Sequence, residues 1–374
     1  MDFKLVIRTF AFALPIFSAI YCIILLLVNL YSRKHDPFSK RLMFLLTGFY
    51  MIEILYCISI AMCFYYKDVY RYSIPINLYC MFVIPILLYH VVFKLTRLRK
   101  KEQFNLWHYA IPVFFLIAYI LCTYIIPFYF QGSLSYSLNT THRFGIFVHF
   151  YTKYRLYIRL LFSIIYLVLA LRRVIKYKKE IIEYSADIDA SSLGWLYQIF
   201  WCLALLLPAP FLYYFAPKGG LSEYTTSIIT LALITIFNSI LCYNIFSKNF
   251  VLLTEDMIFH EKDKINALAK SRIIDPVVFE DYMRIEKPYL RPDLKITDMI
   301  KPLGTNRTYL STFINRHYGK NFSSFINNYR LKEIEILKMD PNYKNVKEEE
   351  LIYIAGFKSL KSYQRTKGIA GKTI

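Results

Sequence analysis

The chain has 374 residues, 56% hydrophobic and 18% aromatic, and its mean hydropathy of +0.36 excludes an ordinary soluble domain of this length. A formal net charge of +20 is incompatible with lipid, so the basic groups must gather in loops or in a separate polar segment. All seven cysteines (Cys22, Cys57, Cys63, Cys80, Cys122, Cys202 and Cys242) lie in apolar runs without a Cys-x-x-Cys pair, which argues against a disulfide framework and a zinc site.

A membrane-crossing helix needs about 20 predominantly apolar residues. Seven runs approach that size, at 7–30, 42–64, 74–95, 108–130, 156–171, 195–216 and 224–246. The first has no small-residue cleavage site behind it and reads as a retained helix. The fifth is short and runs a turn further into Arg172 and Arg173. Cytoplasmic loops retain the Lys and Arg excess. Arg33, Lys34, Lys40 and Arg41 follow the first run, Arg97, Arg99, Lys100 and Lys101 the third, and Arg172, Arg173, Lys176, Lys178 and Lys179 the fifth. The opposite loops are sparser, with Lys67 and Arg71, then Arg143, Lys153 and Arg155, then Lys218. The expectation is a multi-pass protein of the plasma (inner) membrane, N-terminus outside and C-terminus cytoplasmic.

Ionisable groups at mid-membrane depth mark functional sites, because desolvating them is costly unless they are partnered. Glu53 sits mid-way along the second run, and His90, Lys94 and Arg159 are its candidate charged partners, with Asn77 and Asn238 as neutral ones. Glu53, His90 and Arg159 are therefore candidates for intramembrane sensing of a small-molecule or extracellular signal. The alternative is a structural interhelical contact, with Lys94 and Arg159 snorkelling to the interface. The last run lacks the lysine that a retinal Schiff base would need. Residues 131–154 form the longest external loop expected.

From Ser247 hydropathy falls and charge rises. Leu253, Met257, Ile258, Ile265 and Leu268 make a helical stripe that ends before Asp275-Pro276, and residues 277–287 read as a further short helix closed by Lys287-Pro288. The division expected is a seven-helix membrane domain at 1–247, a helical linker at 248–287 and a polar domain at 288–374.

The polar domain has a basic excess, as a phosphate-binding surface would need, although a surface facing anionic lipid would show the same bias. Its pattern is more informative. Residues 296–303 form a short helix, Gly304-Thr305 a tight turn, and Asn306 caps a second helix that runs to Tyr318 and closes at Gly319. Leu310, Phe313, Ile314 and His317 recur at i, i+3, i+4 and i+7 and face inward. Arg307, Thr308, Ser311, Thr312, Asn315 and Arg316 are left outside, as in a helix-turn-helix that offers its second helix to a major groove. Residues 322–339 form a longer helix with Phe322, Phe325, Ile326, Tyr329, Ile334 and Leu337 inward. After Asp340-Pro341, helices at 348–354 and 359–366 flank Ala355-Gly356-Phe357 as a second such unit.

These residues resemble the DNA-binding domain of AraC/XylS-type regulators over 294–365. The run Thr305-Asn306-Arg307-Thr308-Tyr309-Leu310-Ser311 is similar to the first recognition helix of that family. Phe322, Ile326, Tyr329-Arg330-Leu331 and Leu337 resemble its linker helix, and Gly356-Phe357-Lys358-Ser359 its Gly-Phe-x-Ser. The resemblance implies base reading by Thr308, Ser311, Thr312, Lys361 and Arg365, and phosphate contacts by Arg307, Asn315, Arg316 and Lys358. Two departures stand out: Ile300 and Ile352 replace the small residue usual in each unit's first helix, and the stretch after Arg365 is abbreviated.

The expected fold is all-α, a polytopic bundle of about seven helices followed by two helix-turn-helix units. The expected function is a membrane-bound transcription regulator that binds double-stranded promoter DNA beside the lipid bilayer, with its oligomeric state, a homodimer included, left open. A transporter or receptor whose tail recruits a protein is the alternative. No Walker loop, HExxH, GxSxG or kinase ATP motif occurs, so neither an enzyme nor a cofactor is expected.

Overall fold

A computed structural model describes residues 3–32, 37–65, 67–98, 102–121, 143–187, 193–215, 221–247 and 274–370. Within these the regular structure is helical, and one isolated antiparallel bridge joins Ser185 to Lys295. The chain divides into two compact units. One comprises Met1–Thr96, Gln103–Arg173 and Trp195–Lys248, the other Arg97–Glu102, Val174–Gly194 and Asn249–Ile374.

The first unit contains α1 (Phe3–Ser32), α2 (Pro37–Tyr65), α3 (Lys67–Leu95), α4 (Ala110–Ile120), the larger part of α5 (Arg143–Ile181), α6 (Trp195–Leu206), α7 (Ala209–Phe215) and α8 (Leu221–Phe246). Among the described residues, five helical stretches are long and apolar enough to cross a membrane: Thr9–Leu30, Lys40–Met62, Ser73–Leu95, Trp195–Leu212 and Thr225–Phe246. They coincide with five of the seven runs expected. Of the other two, the fourth is described only as far as Leu121, as a 3-10 turn (Leu106–Tyr109) leading into α4. The fifth lies inside α5, which is not among the five found in the described residues. α5 also begins at Arg143, inside the segment expected as an external loop.

α1 packs on α2 and α8, α2 on α3, α3 on α4, and α6 and α7 on α8. The distribution of polar and apolar side chains is compatible with a multi-pass membrane protein. Glu53, Asn29, Asn238, Asn244, Thr47 and Ser59 are buried, whereas Phe17, Val28, Phe44 and Trp201 are at least 60% exposed. Lipid solvates exposed apolar faces and gives nothing to polar ones, so polar side chains must turn inward.

The second unit starts its C-terminal part with α9 (Pro276–Ile285), where Asp275 accepts from the Val277 N–H at 2.8 Å and Pro276 takes the first helical position. The linker stripe at 253–268 lies outside the described residues. The expected short helix at 296–303 is a 3-10 turn (Ile296–Met299) followed by turns to Gly304. α10 (Arg307–Tyr318) is capped by Asn306, whose side chain accepts from the Tyr309 N–H at 2.9 Å, and ends at Gly319 with φ 64°. α11 (Phe322–Met339), α12 (Glu348–Ile354) and α13 (Leu360–Ala370) follow.

Phe279, Met283, Leu294, Ile296, Met299, Leu310, Phe313, Ile314, Phe322, Phe325 and Ile326 are buried around the first half of α11. Ile334, Leu337, Leu351, Ile352, Ala355, Phe357 and Tyr363 form a second cluster around its end. His317, expected inward, is exposed and stacks on Phe313 at 5.3 Å between ring centroids.

Candidate functional site

In the first unit, Glu53 is held by neighbouring helices. Asn238 Nδ2, on α8, donates to Glu53 Oε1 at 2.9 Å and to Ser18 Oγ, on α1, at 3.1 Å. Tyr50 OH donates to the Asn238 carbonyl at 3.1 Å. This knot ties α1, α2 and α8 together in an apolar setting, where a polar group without a partner is costly. Asn238, rather than a cation, is thus the partner of Glu53 among the described residues.

A cavity of about 430 Å³ opens beside the knot, lined by Glu53, Tyr56, Asn77, Arg159 and apolar side chains of α2, α3, α5 and α8. That size suits a small organic molecule. The Arg159 guanidinium lies 5.3 Å from the centre of the Tyr56 ring. Of the three sensing candidates, Glu53 and Arg159 therefore share one cavity. His90 stands apart, stacked on Phe104 at 3.9 Å with its Nδ1 3.0 Å from Tyr109 OH.

In the second unit, Asn315, Arg316, Lys358 and Lys361 are exposed, while Thr308, Ser311, Thr312 and Arg365 are partly exposed. The departure is Arg307, 4% exposed, with its guanidinium 5.1 Å from the centre of the Tyr184 ring.

Tyr184 belongs to residues 182–187, which follow α5 and run along the second unit. Their backbone is pinned at three places. The Ile296 N–H donates to the Tyr184 carbonyl, the Ala186 N–H to the Leu294 carbonyl and the Ser323 N–H to the Ile182 carbonyl, each at 3.1 Å. Asn327 Nδ2 adds a bond to the Ala186 carbonyl at 3.2 Å. Tyr184 and Ala186 are fully buried. From this segment Glu183 Oε2 accepts from Ser311 Oγ at 3.1 Å and from Asn315 Nδ2 at 3.3 Å, and the Asp187 carboxylate pairs with Lys358 Nζ at 3.3 Å.

Arg330 joins the two clusters. It is 1% exposed, and donates from Nε to the Tyr289 carbonyl at 2.7 Å, from Nη2 to the Arg291 carbonyl at 2.6 Å and from Nη1 to Asn327 Oδ1 at 3.2 Å. Burial lowers its pKa to about 10, against the opposing pull of Asp187 and Asp293. Nearby, Glu333 accepts from Lys287 Nζ at 2.7 Å and from Tyr289 OH at 2.9 Å.

Sequence reasoning missed Glu183, Asp187 and the tie made by Arg330. A signal for the first two was present: the basic run ending at Lys179 gives way at once to Glu180, Glu183 and Asp187. Among the described residues no cluster of three or more His, Cys, Asp or Glu could hold a metal ion. No family model matches the chain, and neither does any curated protein or solved structure compared with it.

Proposed function

We propose that the chain is a membrane-embedded transcription regulator, with a second unit that binds double-stranded DNA on the cytoplasmic side through α10 and α13 and an activity set by the membrane unit. The observation that carries this reading is α10. It is a short, doubly capped helix that buries Leu310, Phe313 and Ile314 and turns Ser311, Thr312, Asn315 and Arg316 to the other side. Such a face offers hydroxyl, amide and guanidinium groups to base edges and phosphates. The AraC-type resemblance at 294–365 supports pairing it with Lys358, Lys361 and Arg365 as a second contact region. In this reading Thr308, Ser311, Thr312, Lys361 and Arg365 read bases, and Asn315, Arg316 and Lys358 meet phosphates. Arg307 instead supports α10 from inside.

Full-length protein in lipid nanodiscs, incubated with fragmented genomic DNA, tests the reading. Retention of duplex that weakens steeply with added salt is expected, together with loss of sequence preference when Thr308, Ser311 and Thr312 are replaced by Ala together. No retention at low salt overturns it.

The cavity favours a second reading, a receptor or transporter whose C-terminal unit recruits a protein. That reading requires ligand binding or flux through the first unit, and an output indifferent to the triple replacement.

A further inference from the structure

We infer that residues 182–187 form an autoinhibitory strap, which occupies the DNA-contacting side chains of the second unit and must leave before a duplex can seat. The inference rests on the DNA-binding reading above and concerns the regulation of that same face.

Three observations converge on one short segment. Glu183 satisfies the Ser311 hydroxyl and the Asn315 amide with a single carboxylate oxygen, so one group assigned to base reading and one assigned to phosphate are both engaged. Asp187, 7% exposed at its side chain, pairs with Lys358, a phosphate-contact candidate of the second contact region. Tyr184, fully buried, sits 5.1 Å from the Arg307 guanidinium at the start of α10 and anchors the segment there. One strand of backbone thus reaches both regions that a duplex would have to span.

The chemistry imitates that of the ligand. A carboxylate presents the acceptor oxygens and negative charge that a phosphate or base edge would present to hydroxyl, amide and ammonium donors. Glu183 and Asp187 therefore compete with DNA for the same donors. The three backbone hydrogen bonds to Leu294, Ile296 and Ser323 hold them there with little entropy left to lose.

The strap follows the end of α5 without a break in the chain. Regulation through such a device requires two arrangements of one element, strap on and strap off, that the signal and the DNA bias in opposite directions.

The test compares full-length wild type in nanodiscs with the combined variant Glu183→Gln and Asp187→Asn, titrated with fragmented genomic DNA at one fixed salt concentration. Binding roughly tenfold tighter in the variant is expected, the factor that one charge-assisted contact of ordinary strength supplies. Equal or weaker binding by a folded variant overturns the strap and leaves the DNA reading standing. Absence of binding by both proteins overturns the DNA reading and the strap with it. A measurement on the wild type alone guards against a variant that does not fold. Amide hydrogen exchange at Ala186, Ile296 and Ser323 should quicken when DNA saturates the protein, and unchanged or slower exchange there overturns the inference.

Discussion

Gly356 approaches Tyr289 so closely that a β-carbon added at Gly356 would lie 2.5 Å from the Tyr289 carbonyl oxygen and 2.8 Å from the Leu290 carbonyl. Its φ of +92° is also one that side-chain-bearing residues rarely adopt. Both obstacles are backbone, so neither yields by a rotamer change. Gly356→Ala should destabilise the second unit by at least ~2 kcal/mol, read as a lower melting temperature in nanodiscs. An unchanged melting temperature would mean that the turn between α12 and α13 can move away from Tyr289.

The second unit should also lose stability in alkali. Tyr318 and Tyr329 each donate to Glu280, at 2.6 Å, and both phenols are pushed above their usual value of 10, first by burial and then by that carboxylate. A raised folded-state pKa means that the native state binds more protons than the unfolded chain. The stability it contributes is therefore complete below pH 10 and declines as pH climbs from there through the higher native values. Glu280→Gln should make the loss above pH 10 shallower, because the carboxylate's share of the upward push is gone. Melting temperature recorded against pH checks this, and identical slopes for the two proteins would remove Glu280 from the account.

Much of this was legible in local sequence, because local rules govern it. Asn306 and Gly319 bracket α10 as side-chain cap and left-handed stop, and the spacing of Leu310, Phe313 and Ile314 marks the buried stripe. α11 and α12 also begin and end where their patterns change. The misreadings are non-local. Arg307 lies on the polar side of its helix, yet it is buried, with the ring of Tyr184, far away in the chain, 5.1 Å from its guanidinium. Nothing in the periodicity of α10 carries that information. For Glu53 the sequence offered charged and neutral partners alike, and only the packing of α8 on α1 and α2 selects the neutral Asn238. α5 was underestimated at its start, because polar residues ahead of Arg143 read as one loop with those after it.

Asn306 should contribute about 1 kcal/mol, the ordinary worth of a side-chain cap. Asn306→Ala removes the acceptor of the Tyr309 N–H, whereas Asn306→Ser retains one. The alanine variant should melt lower and bind DNA more weakly under the proposed function, with serine restoring most of both. Equal behaviour of the two variants would show that water caps α10 as well as Asn306 does.

In the membrane unit, the knot around Asn238 makes a prediction that separates structure from signalling. Asn238→Leu removes the donor to Glu53 Oε1 and to Ser18 Oγ, and should lower the melting temperature of nanodisc-embedded protein by the equivalent of about 1–2 kcal/mol. Glu53→Gln keeps an oxygen to accept from Asn238 and loses only the ionisable carboxyl group, so its melting temperature should stay near wild type. If that carboxyl group serves the cavity that it shares with Arg159, target-gene output in cells carrying Glu53→Gln should shift while protein level and stability hold. A fall in stability for Glu53→Gln equal to that for Asn238→Leu would instead show that the carboxyl group itself holds the helices together, and the sensing role would be withdrawn.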